Sequence, residues 1–320
     1  MNREKKLTLL SPLLLVLAAL IWGISFISQS EGGSEVGSFT FQAIRCTLAY
    51  LSIGLVILIK DNTKKNRINK IKYTGIKDWF LKNQHLVKTG VFCGIALALA
   101  GNLQQFGIDL MGKETSTGKS AFLTALYIII VPIFGIFTKK KIHAVTWFSV
   151  AVAVMGLYLI SVKQNSGFGI SLADGLLIAC ALFFGIQIFI VDSMGKNIDG
   201  VKLSCIQFFV AAIISAVGMI LFEKPQLSAI SENAIHLLYS GVMSGGVAYT
   251  LQILGQKRCQ PVLASLLMSL ESVFAALSDL IIRGNTLNHR ETIGCVVMFV
   301  AVILAQCPDF LKIKRSKNNS

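Results

Sequence analysis

The chain has 320 residues, 54% of them hydrophobic and only 14% charged, with a mean hydropathy of +0.68. Soluble domains average about 25% charged residues, so this balance excludes an ordinary water-soluble globule and implies a chain that uses the lipid bilayer as its solvent. The formal charge of +14 would point to nucleic acid in a soluble protein, but here the Lys and Arg sit between apolar runs, where they set orientation, and no nucleic-acid partner is expected.

In chain order, apolar runs of spanning length occur near 9–30, 37–59, 88–111, 116–138, 143–162, 172–194, 202–222, 233–256, 261–283 and 291–310. A span needs about 20 residues, so the expectation is an all-α membrane protein with ten transmembrane helices. The first run is too long for a signal peptide and is read as a retained span. The longest segment between runs, 60–87, holds IKYTGIKDWF, whose Trp79 and Phe80 could rest on an anionic inner leaflet, although on charge pattern alone a solvated loop is the favoured reading.

Of the 30 Lys and Arg, 23 fall on the side of the N-terminus if every run crosses. The positive-inside rule then predicts a multi-pass plasma-membrane protein with both termini cytoplasmic. The seven cysteines are single and mostly inside apolar runs, and no two of the four histidines stand at i, i+4. No metal site, cofactor or catalytic residue is expected from that pattern.

Sliding the chain on itself by 162 residues lays AALIWGIS (18–25) on CALFFGIQ (180–187) and pairs Gly23 with Gly185. Shifts of 147 and 144 pair Gln105 with Gln252 and set Tyr127 opposite Glu271. Two units follow, 1–165 and 166–320, each of five helices. Because five is odd, the second copy enters the membrane upside down, and inverted repeats are a transporter signature with a substrate site near the midplane.

The chain resembles the EamA type of the drug/metabolite transporter superfamily. The resemblance rests on AALIWGISF (18–26), Arg45, GNLQQFGIDLMGKETSTGKSAFLTALYIIIVPIF (101–134) and LLMSLESVFAAL (266–277). It implies ten helices in two inverted five-helix repeats, cytoplasmic termini, and transport of small metabolites, amino acids or drugs, with export the expected direction. Relatives often carry Pro after the Glu of the ninth helix, whereas Ser272 follows Glu271 here. A local break at that point is therefore open.

Helical spacing gathers Trp22, Ser25 and Gln29 on one face, then Asn102, Gln105 and Asp109, then Ser120, Thr124 and Tyr127. From the second unit Gln187, Tyr249, Gln252 and Ser269 add hydrogen-bonding groups. The candidate substrate residues are Trp22, Ser25, Arg45, Asn102, Gln105, Thr124, Tyr127, Tyr249 and Gln252; the same residue types also simply hold membrane helices together. Arg45 offers a planar fork to a carboxylate or phosphate, or forms an ion pair with Asp279 or Glu271. Glu271, near the middle of its run, is the candidate for proton coupling, against a packing role. Pro132 is expected to kink the fourth helix.

The partners implied are a small-molecule substrate and the bilayer, with a homodimer left open. A polytopic membrane enzyme competes poorly, because no HExxH, GxSxG or phosphate loop occurs. A channel, scaffold or sensor is the other alternative; scattered rather than ringed charges favour a carrier.

Overall fold

The computed structural model describes residues 3–62, 76–112, 117–137, 142–161 and 171–318. Among these every regular element is a helix: α1 (Arg3–Val36), α2 (Ser38–Asn62), α3 (Ile76–Lys82), α4 (Gln84–Met111), α5 (Thr117–Ala125), α6 (Tyr127–Phe137), α7 (Ala144–Ser161), α8 (Leu172–Met194) and α9 (Gly200–Phe222), followed by α10 (Leu227–Glu232), α11 (Ala234–Leu238), a π-helix π1 (Tyr239–Ala248), α12 (Tyr249–Gln256), α13 (Pro261–Met268), α14 (Glu271–Arg283) and α15 (His289–Asn318). Eight stretches are long and apolar enough to cross a membrane: Leu10–Val36, Ser38–Asp61, Gln84–Met111, Thr117–Phe137, Leu172–Met194, Gly200–Phe222, Ala234–Gln256 and Pro261–Arg283. The sequence count of ten thus stands at eight among the described residues. The apolar part of α7, Ala144–Ile160, is shorter, and α15 is helical but outside that set. The segment 60–87 forms the short α3 at its end, with Lys82 bonded to Asp78 at 2.9 Å; the side chain of Phe80 lies outside the described residues.

The distribution of side chains is that of a protein in lipid. Large apolar groups such as Leu55, Leu58, Ile59, Phe137, Ile220 and Phe222 are exposed, while Arg45, Glu271 and many Gln and Ser are buried. A soluble protein shows the reverse pattern.

Helix α1 packs against α12, π1, α13 and α14, while α8 packs against α4, α5 and α6. Helix α9 packs on α2 and α4, π1 on α2, and α7 on α15. The α1 to α14 approach depends on a missing side chain: a Cβ at Gly23 would stand 2.7 Å from the Phe274 carbonyl carbon and 2.8 Å from the Ala275 nitrogen. Small residues permit such contacts where no hydrophobic force between helices exists.

Two of the spans are broken, and the breaks correspond. The fourth span is interrupted at Leu126, where the Leu126 amide donates to Leu123 O at 3.4 Å and the Ile129 amide to Leu126 O at 3.0 Å, tighter i to i−3 bonds than an α-helix uses. Pro132 lies inside α6, six residues beyond this break. The span Pro261–Arg283, the ninth apolar run of the sequence, breaks at Ser269 and Leu270, before Glu271 rather than after it. Here the Ser265 and Ser269 hydroxyls take the carbonyls of Val262 and Leu266, both at 2.8 Å. Such back-bonding competes with the helix ladder and bends it, so a break arises without proline. A shift of 144 carries Leu126 onto Leu270.

Candidate functional site

The two breaks meet at a cavity. Its wall takes Trp22, Phe26 and Gln29 from α1, Arg45 from α2, Gln104 from α4, Thr124 and Tyr127 from the broken fourth span, Phe184, Gln187 and Ile188 from α8, Tyr249 and Gln252 from α12, and Met268 and Glu271 from the broken ninth span. The empty space within this lining totals about 410 Å³.

Of the candidates named from sequence, Trp22, Arg45, Thr124, Tyr127, Tyr249, Gln252 and Glu271 line this space. Ser25, Asn102 and Gln105 lie elsewhere. Ser25 is fully buried and accepts from Gln29 through its carbonyl at 3.4 Å. Asn102 donates to Ala98 O at 2.7 Å and Ser215 Oγ at 2.9 Å, facing α9. Gln105 donates to Gln29 O and Asp109 Oδ1 at 3.0 and 2.9 Å. The residue that α4 turns to the cavity is Gln104, whose amide donates to Thr124 Oγ1 at 3.3 Å. One residue is about 100° of helical rotation, and a run of two glutamines does not reveal which points inward. Phe184, Ile188 and Met268 were also missed, because apolar cavity residues look like lipid-facing ones in sequence.

The cavity holds two ionisable groups of opposite sign. Tyr127 Oη donates to Glu271 Oε1 at 3.1 Å, joining the two breaks across the interior. Arg45, 4% exposed, donates from Nε to Ser240 O at 3.3 Å, from Nη1 to Gln29 Oε1 at 3.0 Å and Gln42 Oε1 at 3.3 Å, and from Nη2 to Ser244 Oγ at 3.0 Å. Among the described residues no carboxylate comes within 4.0 Å of it. Asp279 instead accepts from Arg283 at 3.3 Å and Asn285 at 3.1 Å. The ion pairs considered for Arg45 with Asp279 or Glu271 are therefore not formed. The π-helix supplies two of these acceptors, and Ser244 O also accepts from Trp22 Nε1 at 3.3 Å. It can lie this close because a Cβ at Gly241 would already be 3.1 Å from Arg45 O. Trp22 stands edge-on to Tyr249 with ring centroids 4.8 Å apart, and Tyr249 to Phe208 at 5.2 Å.

The ends of the bundle differ. Where α1 runs into α2, charged groups tie helices together. Arg283 Nη2 donates to Glu31 Oε1 at 2.5 Å and Ser30 Oγ at 3.2 Å. Glu223 accepts from the backbone of Phe39 and Thr40 at 2.9 and 2.7 Å, a carboxylate at the N-terminus of α2. Ser38 Oγ donates to Asp109 Oδ2 at 2.5 Å. At the other end an open cavity of about 1100 Å³ is lined by Asp192, Lys196, Lys257 and Arg258 among others. Lys257 donates to Ile198 O, and its partial burial holds its pKa below the usual lysine value. Among the described residues no group of three or more His, Cys, Asp or Glu could hold a metal ion.

Comparison with known proteins gives one family and one fold. The profile described as the EamA-like transporter family matches residues 9–162 and 171–306. An uncharacterized transporter of Archaeoglobus fulgidus is 26% identical over 296 residues, covering 91% of this chain and 83% of that protein. One from Clostridium kluyveri is 23% identical over 297 residues, covering 91% of each. The uncharacterized transporter YrdR of Bacillus subtilis is 22% identical over 304 residues, covering 90% and 88%. A solved crystal structure superposes with a TM-score of 0.71 at 15% identity, covering 93% of this chain and 96% of that one. At that identity the likeness is one of fold alone.

Proposed function

Because the chain belongs to the EamA-like transporter family and is a multi-pass membrane protein by its apolar helices, we propose that it is a secondary transporter of small metabolites. It works by alternating access around the cavity between two inverted five-helix repeats, with ten helices in all. The observation that carries this reading is the meeting of two broken spans at one polar cavity, with Glu271 and Tyr127 bonded across it at 3.1 Å. Discontinuous helices at a midplane site are how carriers expose polar backbone and charge without exposing them to lipid.

The repeat is supported by the packing. Exchange of the two units turns the α1 contacts with α13 and α14 into the α8 contacts with α5 and α6, and returns the α7 to α15 and α2 to α9 contacts to themselves. The charge asymmetry supports cytoplasmic termini in the plasma membrane, with the Lys196, Lys257 and Arg258 cavity facing the cytoplasm. A cytoplasmic vestibule open while the outer end is tied by Arg283 and Glu223 suits a carrier that loads from inside, which is the case for export. Arg45 takes the anionic or polar group of the cargo with the one N–H its four bonds leave over, and Glu271 couples a proton.

The test is counterflow of a panel of radiolabelled metabolites in proteoliposomes, where trans-stimulated exchange of at least one compound is expected and none across the panel would overturn the transporter reading. A reporter fused at Ser320 should read cytoplasmic and one inserted at Gly33 external; an external C-terminus would remove the inverted repeat with the orientation.

A further inference from the structure

Four glutamines form a chain of buried amides at the edge of the cavity. Gln187 Nε2 donates to Gln207 Oε1 at 3.1 Å, and Gln252 Nε2 donates to Gln187 Oε1 at 2.9 Å and Gln256 Oε1 at 3.3 Å. The relative exposures of Gln187, Gln207, Gln252 and Gln256 are 0, 0, 2 and 2%. Despite that burial, Gln207 Nε2, Gln252 Oε1 and Gln256 Nε2 have no partner. Gln187 and Gln252 line the central cavity, and Gln256 directly precedes Lys257, which lines the open one. The quartet therefore stands between the two.

A buried amide group without a partner carries an uncompensated desolvation penalty, and each such group in a native interior calls for an explanation. Two amide nitrogens and one amide oxygen are the complement of a group that accepts two hydrogen bonds and donates one. That group is a hydroxyl. The quartet also has a second arrangement. If all four amides turn over together, Gln207 donates to Gln187, and Gln187 and Gln256 both donate to Gln252, so the same three bonds survive with every donor and acceptor exchanged. The unpartnered atoms are then two oxygens and one nitrogen. Water, with two donors and two acceptors, fits either arrangement, whereas an alcohol fits only the first.

We propose that Gln187, Gln207, Gln252 and Gln256 are a second binding subsite, for a hydroxyl group of the cargo or for the water molecule that holds its place. The cargo half rests on the transport reading; the water half does not. A hydroxyl arriving from the vestibule replaces the water and locks the amides in one arrangement, and its departure lets them relax.

The experiment is a structure of the full chain in lipid nanodiscs at a resolution that shows ordered water, determined with and without glycerol as the hydroxyl probe, for wild type and Gln207→Leu. In wild type one ordered molecule should lie within hydrogen-bond distance of at least two of the three unpartnered amides. Glycerol should replace it with one of its hydroxyls. Gln207→Leu should lose it while the bonds around Arg45 stay as they are. A dry quartet whose amides have re-paired with protein groups overturns the proposal, and so does a water that glycerol leaves unmoved, which would make the quartet a closed hydration site. Neither readout uses transport, so a metabolite panel without exchange leaves this test decisive.

Discussion

The cluster around Arg45, drawn from both halves of the chain, and the glutamine quartet, drawn from the second half alone, flank the same cavity, and the 162-residue shift lays Arg45 on Gln207. The cation is nearly complete: four of the five N–H bonds a guanidinium offers are made to Gln29, Gln42, Ser240 and Ser244. The quartet makes three bonds and leaves three amide atoms unmet. A charge within the span of a bilayer must be solvated by protein whether or not cargo is present, so its acceptors are built in. Neutral amides tolerate waiting. The difference separates a charge that protein bonds hold almost completely, with one N–H left for cargo, from amides that leave three atoms unmet, and it predicts that the same kind of substitution will act mainly on stability at one and mainly on occupancy at the other.

The largest effect is expected at Arg45. Arg45→Ala strips charge-assisted bonds from four buried acceptors at once; such bonds contribute about 1.5–3 kcal/mol each before relaxation, so the variant should fall by more than about 3 kcal/mol and accumulate poorly. Arg45→Lys keeps the charge but cannot span acceptors on α1, α2 and π1 with a point-like ammonium, so an intermediate melting temperature with reduced exchange is expected. Wild-type thermal stability of Arg45→Ala in detergent or nanodiscs would break the comparison at its stronger end.

Next comes the opposite charge. Glu271 has one hydrogen bond through a side chain, from Tyr127, and its backbone opens α14 after the Ser269 break. Glu271→Gln keeps an oxygen for that phenol, so its stability should stay within about 1 kcal/mol of wild type. If the carboxyl carries the coupled proton, exchange should persist while accumulation driven by a pH gradient is lost. Full gradient-driven transport by Glu271→Gln would leave Glu271 a packing residue and remove proton coupling.

How much of this could be read in the sequence follows from the physics of each signal. Span limits are written in hydropathy, and the eight spans fall within four residues of the apolar runs except the first, which continues six residues past 30 to Val36. The 144-residue shift set Tyr127 and Glu271 at equivalent positions of the two units, but the hydrogen bond between them is visible only in three dimensions. The break before Glu271 was not legible, because serine hydroxyls bending a helix look like any other serine in it; reading Ser265 and Ser269 at i, i+4 just ahead of the carboxylate was the available signal. The π-helix was hidden too, since its Ser and Gly fit ordinary small-residue packing. In the site, the ion pairs considered for Arg45 with Asp279 or Glu271 gave way to bonds with Gln29, Gln42, Ser240 and Ser244, and the choice of Gln104 over Gln105 turned on a single step of rotation. Gln207 was passed over because one amide in an apolar helix resembles glue, and only its unmet nitrogen in three dimensions distinguishes it.

The smallest effect is expected at Gln207, and its smallness is the informative part. Gln207→Leu removes the Gln187 to Gln207 bond and so leaves Gln187 Nε2 without a partner, but it also removes Gln207 Nε2, which had none. The number of unmet amide atoms is unchanged at three, and leucine is close to glutamine in volume and at home among apolar neighbours. The net change should lie within about 1 kcal/mol, the size of one ordinary hydrogen bond, and melting should barely move. Cargo binding should still weaken if the cargo carries a hydroxyl, because the unmet nitrogen then sits on Gln187 and no longer where Gln207 Nε2 stood. Gln207→Leu melting as far below wild type as Arg45→Ala would mean that the quartet is a finished scaffold like the arginine cluster, with its apparent gaps filled by permanent water, and the distinction between the two halves of the cavity would disappear.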